Sequence, residues 1–373
     1  MKKMLHLWIV ISLLLVIILS GCGGGGGSKS PPGNDTPPIQ QISYFYALNA
    51  SLARIFVYKI NIASGSLETI GQVSTNPEPR CAVVHPDRNH LFVCTNETNT
   101  SNDYLEIYDI NGNDGTLSLA TSIKLQSPLH PGIMVFTPNG KYLCMTHPDA
   151  ETVSIYSVNS TTHTIEQVTT INTVTEPKGL AIDPYGEFLY IAKNGTNTLN
   201  DNGEVLIYQI SATGTVINKG STSVGKQPTD MTLNHAGSQL YVTNFTSGSL
   251  MVFSVNATDG SLTLKNTYTG DAGDVRGLAV APGDAFVFAG KTGLGLNAYS
   301  ASGSSLSLIT GSPFDNEEMV AFSLAVDPSG RFLYVARGYA SEYARVDAYT
   351  IGASGELTLI DRFTSGGTWV TIR

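Results

Sequence analysis

Apolar residues recur at every second position in short runs along most of the chain. In Glu176–Gly195, EPKGLAIDPYGEFLYIAKNG, Leu180 and Ile182 alternate before a turn, and Leu189 and Ile191 alternate after it. Near the other end, Met319–Gly338 reads MVAFSLAVDPSGRFLYVARG, almost the same phrase. Period-two alternation predicts strands that bury one face. Asp-Pro-x-Gly supplies the turn: Pro sets φ, Gly accepts φ > 0, and the Asp carboxylate bonds the turn backbone. Beyond the N-terminus no stretch keeps a 3.6-residue apolar period, so almost no helix is expected. The repeated phrase therefore reads mainly as scaffold.

The same turn recurs. Aligned on it are HPDRNHLFV at His85, TPNGKYLCM at Thr137, DPYGEFLYI at Asp183, NHAGSQLYV at Asn234, APGDAFVF at Ala281 and DPSGRFLYV at Asp327, with successive turns 46 to 52 residues apart. A third strand follows each: RIFVYKI, LEIYDI, VSIYSV, VLIYQI, LMVFSV, LNAYS and RVDAYTI. Turns such as Ser64-Gly65, Asp114-Gly115, Asp259-Gly260 and Ser354-Gly355 then lead to a fourth strand. Four strands per period of about 45–50 residues predict propeller blades, an all-β fold. The third-strand motif occurs seven times and the turn six, and the chain ends in TWVTIR, Thr368–Arg373. The count closes if TWVTIR is the innermost strand of blade one, whose other strands begin near Tyr44. That closure removes the open sheet edges of a linear array, so a monomer is expected. The prediction is one domain over residues 42–373, a seven-bladed β-propeller of four-stranded blades, large enough to bury ~75% of its unfolded surface.

These repeats resemble the seven-bladed 6-phosphogluconolactonase-type family, which includes the carboxy-muconate lactonising enzymes. Tyr241-Val242-Thr243-Asn244 further resembles the YVTN repeat of surface-layer propellers. The resemblance spans the whole domain, and its motifs are structural.

The first twenty-odd residues follow another pattern. Lys2 and Lys3 precede an apolar run from Trp8 to Leu19, then Leu19-Ser20-Gly21-Cys22. This is a secretory signal over residues 1–21. Its end resembles the lipobox of bacterial lipoproteins, which implies that Cys22 carries lipid, anchoring the protein in the cell envelope, at an outer membrane or the cell surface. Residues 22–41, rich in Gly, Ser and Pro, read as a flexible tether. Only 14% of the 373 residues are charged, and the net charge is −9. An acidic exported protein is a poor nucleic-acid binder. Of Cys81, Cys94 and Cys144, the first two flank the His85–His90 turn and face each other across a hairpin. A disulfide and a set of small buried thiols both fit.

Candidate chemistry collects at one end. Residues before a blade's first strand and after its second meet on the face opposite the Asp-Pro turn, where propeller ligands bind at the channel mouth. Six residues before the turn Pro stand Arg80, Lys178 and Arg276, successively 98 residues apart, in alternate blades. They form an anion site in one reading. In the other, Glu78, Glu176 and Asp274, each two residues earlier, neutralise them as rim ion pairs.

The lactonising relatives carry a His, Arg, Glu, Arg cluster at this mouth. The resemblance aligns His130 with the family His and Lys178 with the first Arg. Lys193-Asn194-Gly195 stands where the Glu is expected, and Asn244-Phe245 where the second Arg is. A general base is thereby missing, and no catalytic residue is assigned. No cofactor is implied. Gly290-Lys291-Thr292 lacks the first Gly of a phosphate loop, with Ala285 in its place. The turn at Asp109 has Ala120 where a calcium loop needs Glu. The His residues show no metal-ligand spacing. Two functions remain: a tethered, non-catalytic propeller binding an anionic small molecule, carbohydrate or envelope protein; or a lactonase acting on an anionic sugar or dicarboxylate lactone. The exported location favours the first, because phosphogluconate metabolism is cytoplasmic.

Overall fold

A computed structural model describes residues 43–97, 102–126, 130–197, 200–269, 275–291, 295–315, 320–338, 344–364 and 369–373. The expected signal and tether, with Cys22, lie outside these residues, as does Asp274. The described residues form seven antiparallel four-stranded sheets and no helix. From the channel outwards, blade four runs Pro177–Ile182, Phe188–Lys193, Glu204–Ile210 and Val216–Ser223. The C-terminal strand Trp369–Ile372 is the innermost strand of blade one and pairs with Tyr44–Asn49, Ala47 opposite Val370. The predicted closure is therefore the one adopted.

Each sheet has two faces, and period-two alternation sends apolar residues to both. The result is seven cores, one at each seam between blades. Phe188 and Tyr190 of blade four pack with Leu240 and Phe253 of blade five. Phe332 and Tyr334 of blade seven pack with Phe45, Tyr58 and Val370 of blade one. Cys81, Cys94 and Cys144 are buried free thiols. Cys81 and Cys94 stand opposite each other on paired strands, and burial pushes the Cys81 thiol well up.

The phrase FLYI does its work at these seams. Tyr190 donates its hydroxyl to the Gly260 carbonyl at 3.0 Å, in the outer turn of the next blade. Tyr46 does the same to Gly115 at 3.1 Å and Tyr334 to Gly65 at 2.8 Å, which fastens blade seven to blade one. The Phe two residues earlier packs against the same turn. A Cβ on Gly260, at φ 75°, would stand 2.5 Å from the Phe188 ring. The Asp-Pro turns form as expected, with Asp183 Oδ1 accepting the N–H groups of Glu187 and Phe188 at 2.7 and 2.6 Å. The turn after Asp109 joins the third and fourth strands of blade two, with Gly115 N–H bonded to Asn111 at 2.8 Å.

Candidate functional site at the channel mouth

Where the inner strands reach the mouth, most of them bulge. Pro79 pairs with Thr95 and Cys81 with Cys94, so Arg80 is an extra residue with no partner in the ladder. Lys178 is extra between Pro177 and Gly179, Thr229 between Pro228 and Asp230, and Phe322 between Ala321 and Ser323. Blade six bulges at Arg276-Gly277. A bulged residue leaves the pleat and re-aims its side chain. Here Arg80, Lys178, Thr229, Arg276 and Phe322 line one cavity of about 400 Å³ at the mouth, joined by Gly132 of blade three and Trp369 of blade one. The cavity thus receives one equivalent residue from every blade. Cations from blades two, four and six alternate with Gly132 and Thr229, and the wall formed by blades seven and one is aromatic.

The three expected cations are brought together. Two of the expected ion pairs also close: Arg80 bonds Glu78 at 3.0 Å and Lys178 bonds Glu176 at 3.2 Å. Glu176 is further fixed by Asn194, whose Nδ2 donates to it at 2.7 Å. Arg276 also makes aromatic contacts: its guanidinium lies 4.2 Å above the Phe245 ring and 5.4 Å from that of Phe322, a cation–π setting. Asn194 and Phe245, in the positions read as departures from the lactonising family, both line the cavity. His130 is placed apart from the cations. It stands two residues before Gly132, in a left-handed conformation, with Nδ1 2.5 Å from Asp149, and is not among the cavity-lining residues.

One titratable group at the mouth was missed. Asp230 follows the bulge of blade five and lines both the mouth cavity and a channel section of about 350 Å³ below it. Its Oδ2 accepts the Leu278 N–H of blade six at 2.9 Å, and its Oδ1 the Met231 N–H at 2.8 Å. Burial outweighs these two bonds and pushes the carboxyl up to about 7. The equivalent positions elsewhere hold Cys81, Ile133, Gly179, Gly277, Ser323 and Val370, all uncharged. That contrast was the available signal: a carboxylate where every sister strand is small or apolar. Thr243, of the YVTN run, braces the bulge, its Oγ1 accepting from Asp230 N–H at 3.1 Å and donating to the Arg276 carbonyl at 3.2 Å.

Comparison with known proteins agrees with this architecture. The family described as lactonase, 7-bladed β-propeller, matches residues 102–276. An uncharacterised protein of Lactococcus lactis is 28% identical over 59% of this chain and 66% of its own length. A 6-phosphogluconolactonase of Serratia proteamaculans is 26% identical over 88% of this chain and 98% of its own. Among solved structures, a putative 6-phosphogluconolactonase of Bacteroides fragilis superposes with a TM-score of 0.76 at 14% identity, covering 91% of this chain and 100% of that one. A periplasmic gluconolactonase of Pseudomonas aeruginosa superposes at 0.75 and 17% identity, covering 89% and 98%.

Proposed function

We propose, from the likeness of this chain to the seven-bladed β-propeller lactonases, that its mouth cavity hydrolyses the lactone of an anionic sugar acid. The observation that carries this reading is Asp230, a carboxyl raised to about 7 on the floor of a cavity lined by three cations. A base poised near neutral pH suits removal of a proton from water. Water attacks the ring carbonyl as Asp230 takes its proton, and a cation of the ring stabilises the oxyanion. The tetrahedral intermediate expels the ring oxygen, which is protonated by Asp230 to give the open hydroxy acid. The remaining cations hold the substrate's anionic group, and Phe322 and Trp369 face its carbon ring. The pairs Arg80–Glu78 and Lys178–Glu176 are partly exposed and worth little in water, so an anionic ligand can compete with them.

Export does not oppose this chemistry, since one protein of the same fold is named a periplasmic gluconolactonase. We propose further that Cys22 holds the propeller in the cell envelope by lipid, on its tether. The test is hydrolysis of gluconolactone and 6-phosphogluconolactone by the purified chain. Activity above the spontaneous rate is expected, lost in Asp230→Asn and weakened through KM in Arg276→Ala. If neither lactone is turned over but acidic sugars still raise the melting temperature through Arg276, the cavity binds without catalysis. That second reading is favoured by the two closed ion pairs.

A further inference from the structure

On the face of the propeller away from the mouth, blades two and three bring together three residues distant in sequence. His90 opens the second strand of blade two, His90–Glu97, and Asp109 is its register partner on the third strand, Asn102–Ile110. His163 belongs to the turn between Thr152–Asn159 and Thr164–Asn172 of blade three, in a left-handed conformation with φ 53°. Asp109 Oδ1 lies 2.8 Å from His163 Nε2 and 3.4 Å from His90 Nε2, and the three ligand atoms lie within 4.8 Å of one another.

We propose that His90 Nε2, His163 Nε2 and the Asp109 carboxylate form a binding site for a divalent transition-metal ion of the zinc class. Two imidazoles and one carboxylate select borderline ions over calcium or magnesium, which prefer oxygen ligands. The 3.4 Å between Asp109 Oδ1 and His90 Nε2 matches one edge of a tetrahedron whose bonds are ~2.0–2.1 Å, and the 2.8 Å hydrogen-bonded contact of Asp109 with His163 would open to that length around an ion. The support behind the ligands is also present. Asp87 Oδ2 lies 2.8 Å from His90 Nδ1, so the ring's proton is held there and the Nε2 lone pair points towards Asp109 and His163. Asp87 is itself held by the Asn89 N–H at 2.8 Å and lies 2.9 Å from His85 Nδ1. The Asp109 side chain is half exposed, which leaves a fourth position for water. Binding at Nε2 needs the neutral imidazole with its proton on Nδ1, and protons compete with the ion for the two ring nitrogens, so affinity falls in acid. The ion would clamp blade two to blade three, independently of the lactone reading.

Titration calorimetry of the chelator-stripped full chain with zinc chloride at pH 7.5 tests this. One ion per chain is expected, with a rise in melting temperature at saturation. His163→Ala, in a surface turn, and His90→Ala should each weaken binding by at least ~100-fold, and Asp87→Asn by ~10–100-fold. His235→Ala, whose ring pairs with Asp284 in another seam, should bind as the unaltered chain does. Absence of binding by the unaltered chain overturns the site. So does undiminished binding by His163→Ala.

Discussion

Asp230 Oδ2 receives the backbone N–H of Leu278 at 2.9 Å, which ties the acid of blade five to the inner strand of blade six. The carboxyl is nevertheless raised to about 7, so burial costs more than the two N–H bonds return. An acid with a folded pKa above its unfolded value of ~3.9 stabilises the fold when protonated. That stability is present at about pH 4 and is lost as pH rises towards 7. The lactone hydrolysis proposed for Asp230 should follow the opposite course, with kcat/KM rising through pH 7. Asp230→Asn should abolish the rate and flatten the pH dependence of the melting temperature between 4 and 7. A rate profile unchanged in the Asn variant would remove Asp230 as the base.

The seam locks predict a local stability pattern. Tyr190→Phe removes one buried hydroxyl donor from the Gly260 carbonyl and should cost about 1 kcal/mol in urea unfolding. Gly260→Ala should cost more, of order 1–3 kcal/mol, because it combines a positive φ with a Cβ 2.5 Å from Phe188. Equal losses for the two would mean that the turn relaxes.

Removing residues 369–373 should open the ring. It takes away the inner strand of blade one, the buried Val370 and the Trp369 indole bond to the Ala82 carbonyl at 2.8 Å. Two strand edges become available for pairing between chains. Aggregation, or a loss of several kcal/mol, is expected by light scattering and thermal melting. A monomer with unchanged melting would refute closure as a source of stability.

Arg337 predicts a single-residue hot spot. It is fully buried, 2.8 Å from Asp315 and 2.6 Å from the equally buried Asp347. Arg337→Ala would take the buried guanidinium from both carboxylates, leaving Asp315 to the Tyr349 hydroxyl and Asp347 to Arg345 at 2.7 Å, at a cost of about 3 kcal/mol measured by denaturant midpoint. Arg362→Ala, whose guanidinium is 3.9 Å from Asp347 and largely exposed, should cost under about 1 kcal/mol.

The proposed anchor is checked by Cys22→Ala. The variant should stay unprocessed or appear in the soluble fraction, while the parent fractionates with membranes after detergent-free lysis. Normal processing together with unchanged membrane association would exclude lipidation at Cys22.

Fold and blade number were legible in the chain because they are local and repeated. Period-two alternation, Asp-Pro-x-Gly turns and the final TWVTIR each constrain a few adjacent residues, and seven copies average out the noise. Arg80, Lys178 and Arg276 were legible for the same reason, since equal spacing in a repeat becomes a common place on a ring. Only the tertiary structure decided which residues share a cavity and in what electrostatic state. The bulges that turn those side chains inwards depend on strand register. Asp230 acquires its raised carboxyl from burial between two blades, and Asp87, His90, Asp109 and His163 meet through a seam joining residues up to 76 positions apart. Dielectric environment and through-space contact are sums over neighbours from separate blades, and no short stretch of the chain carries them.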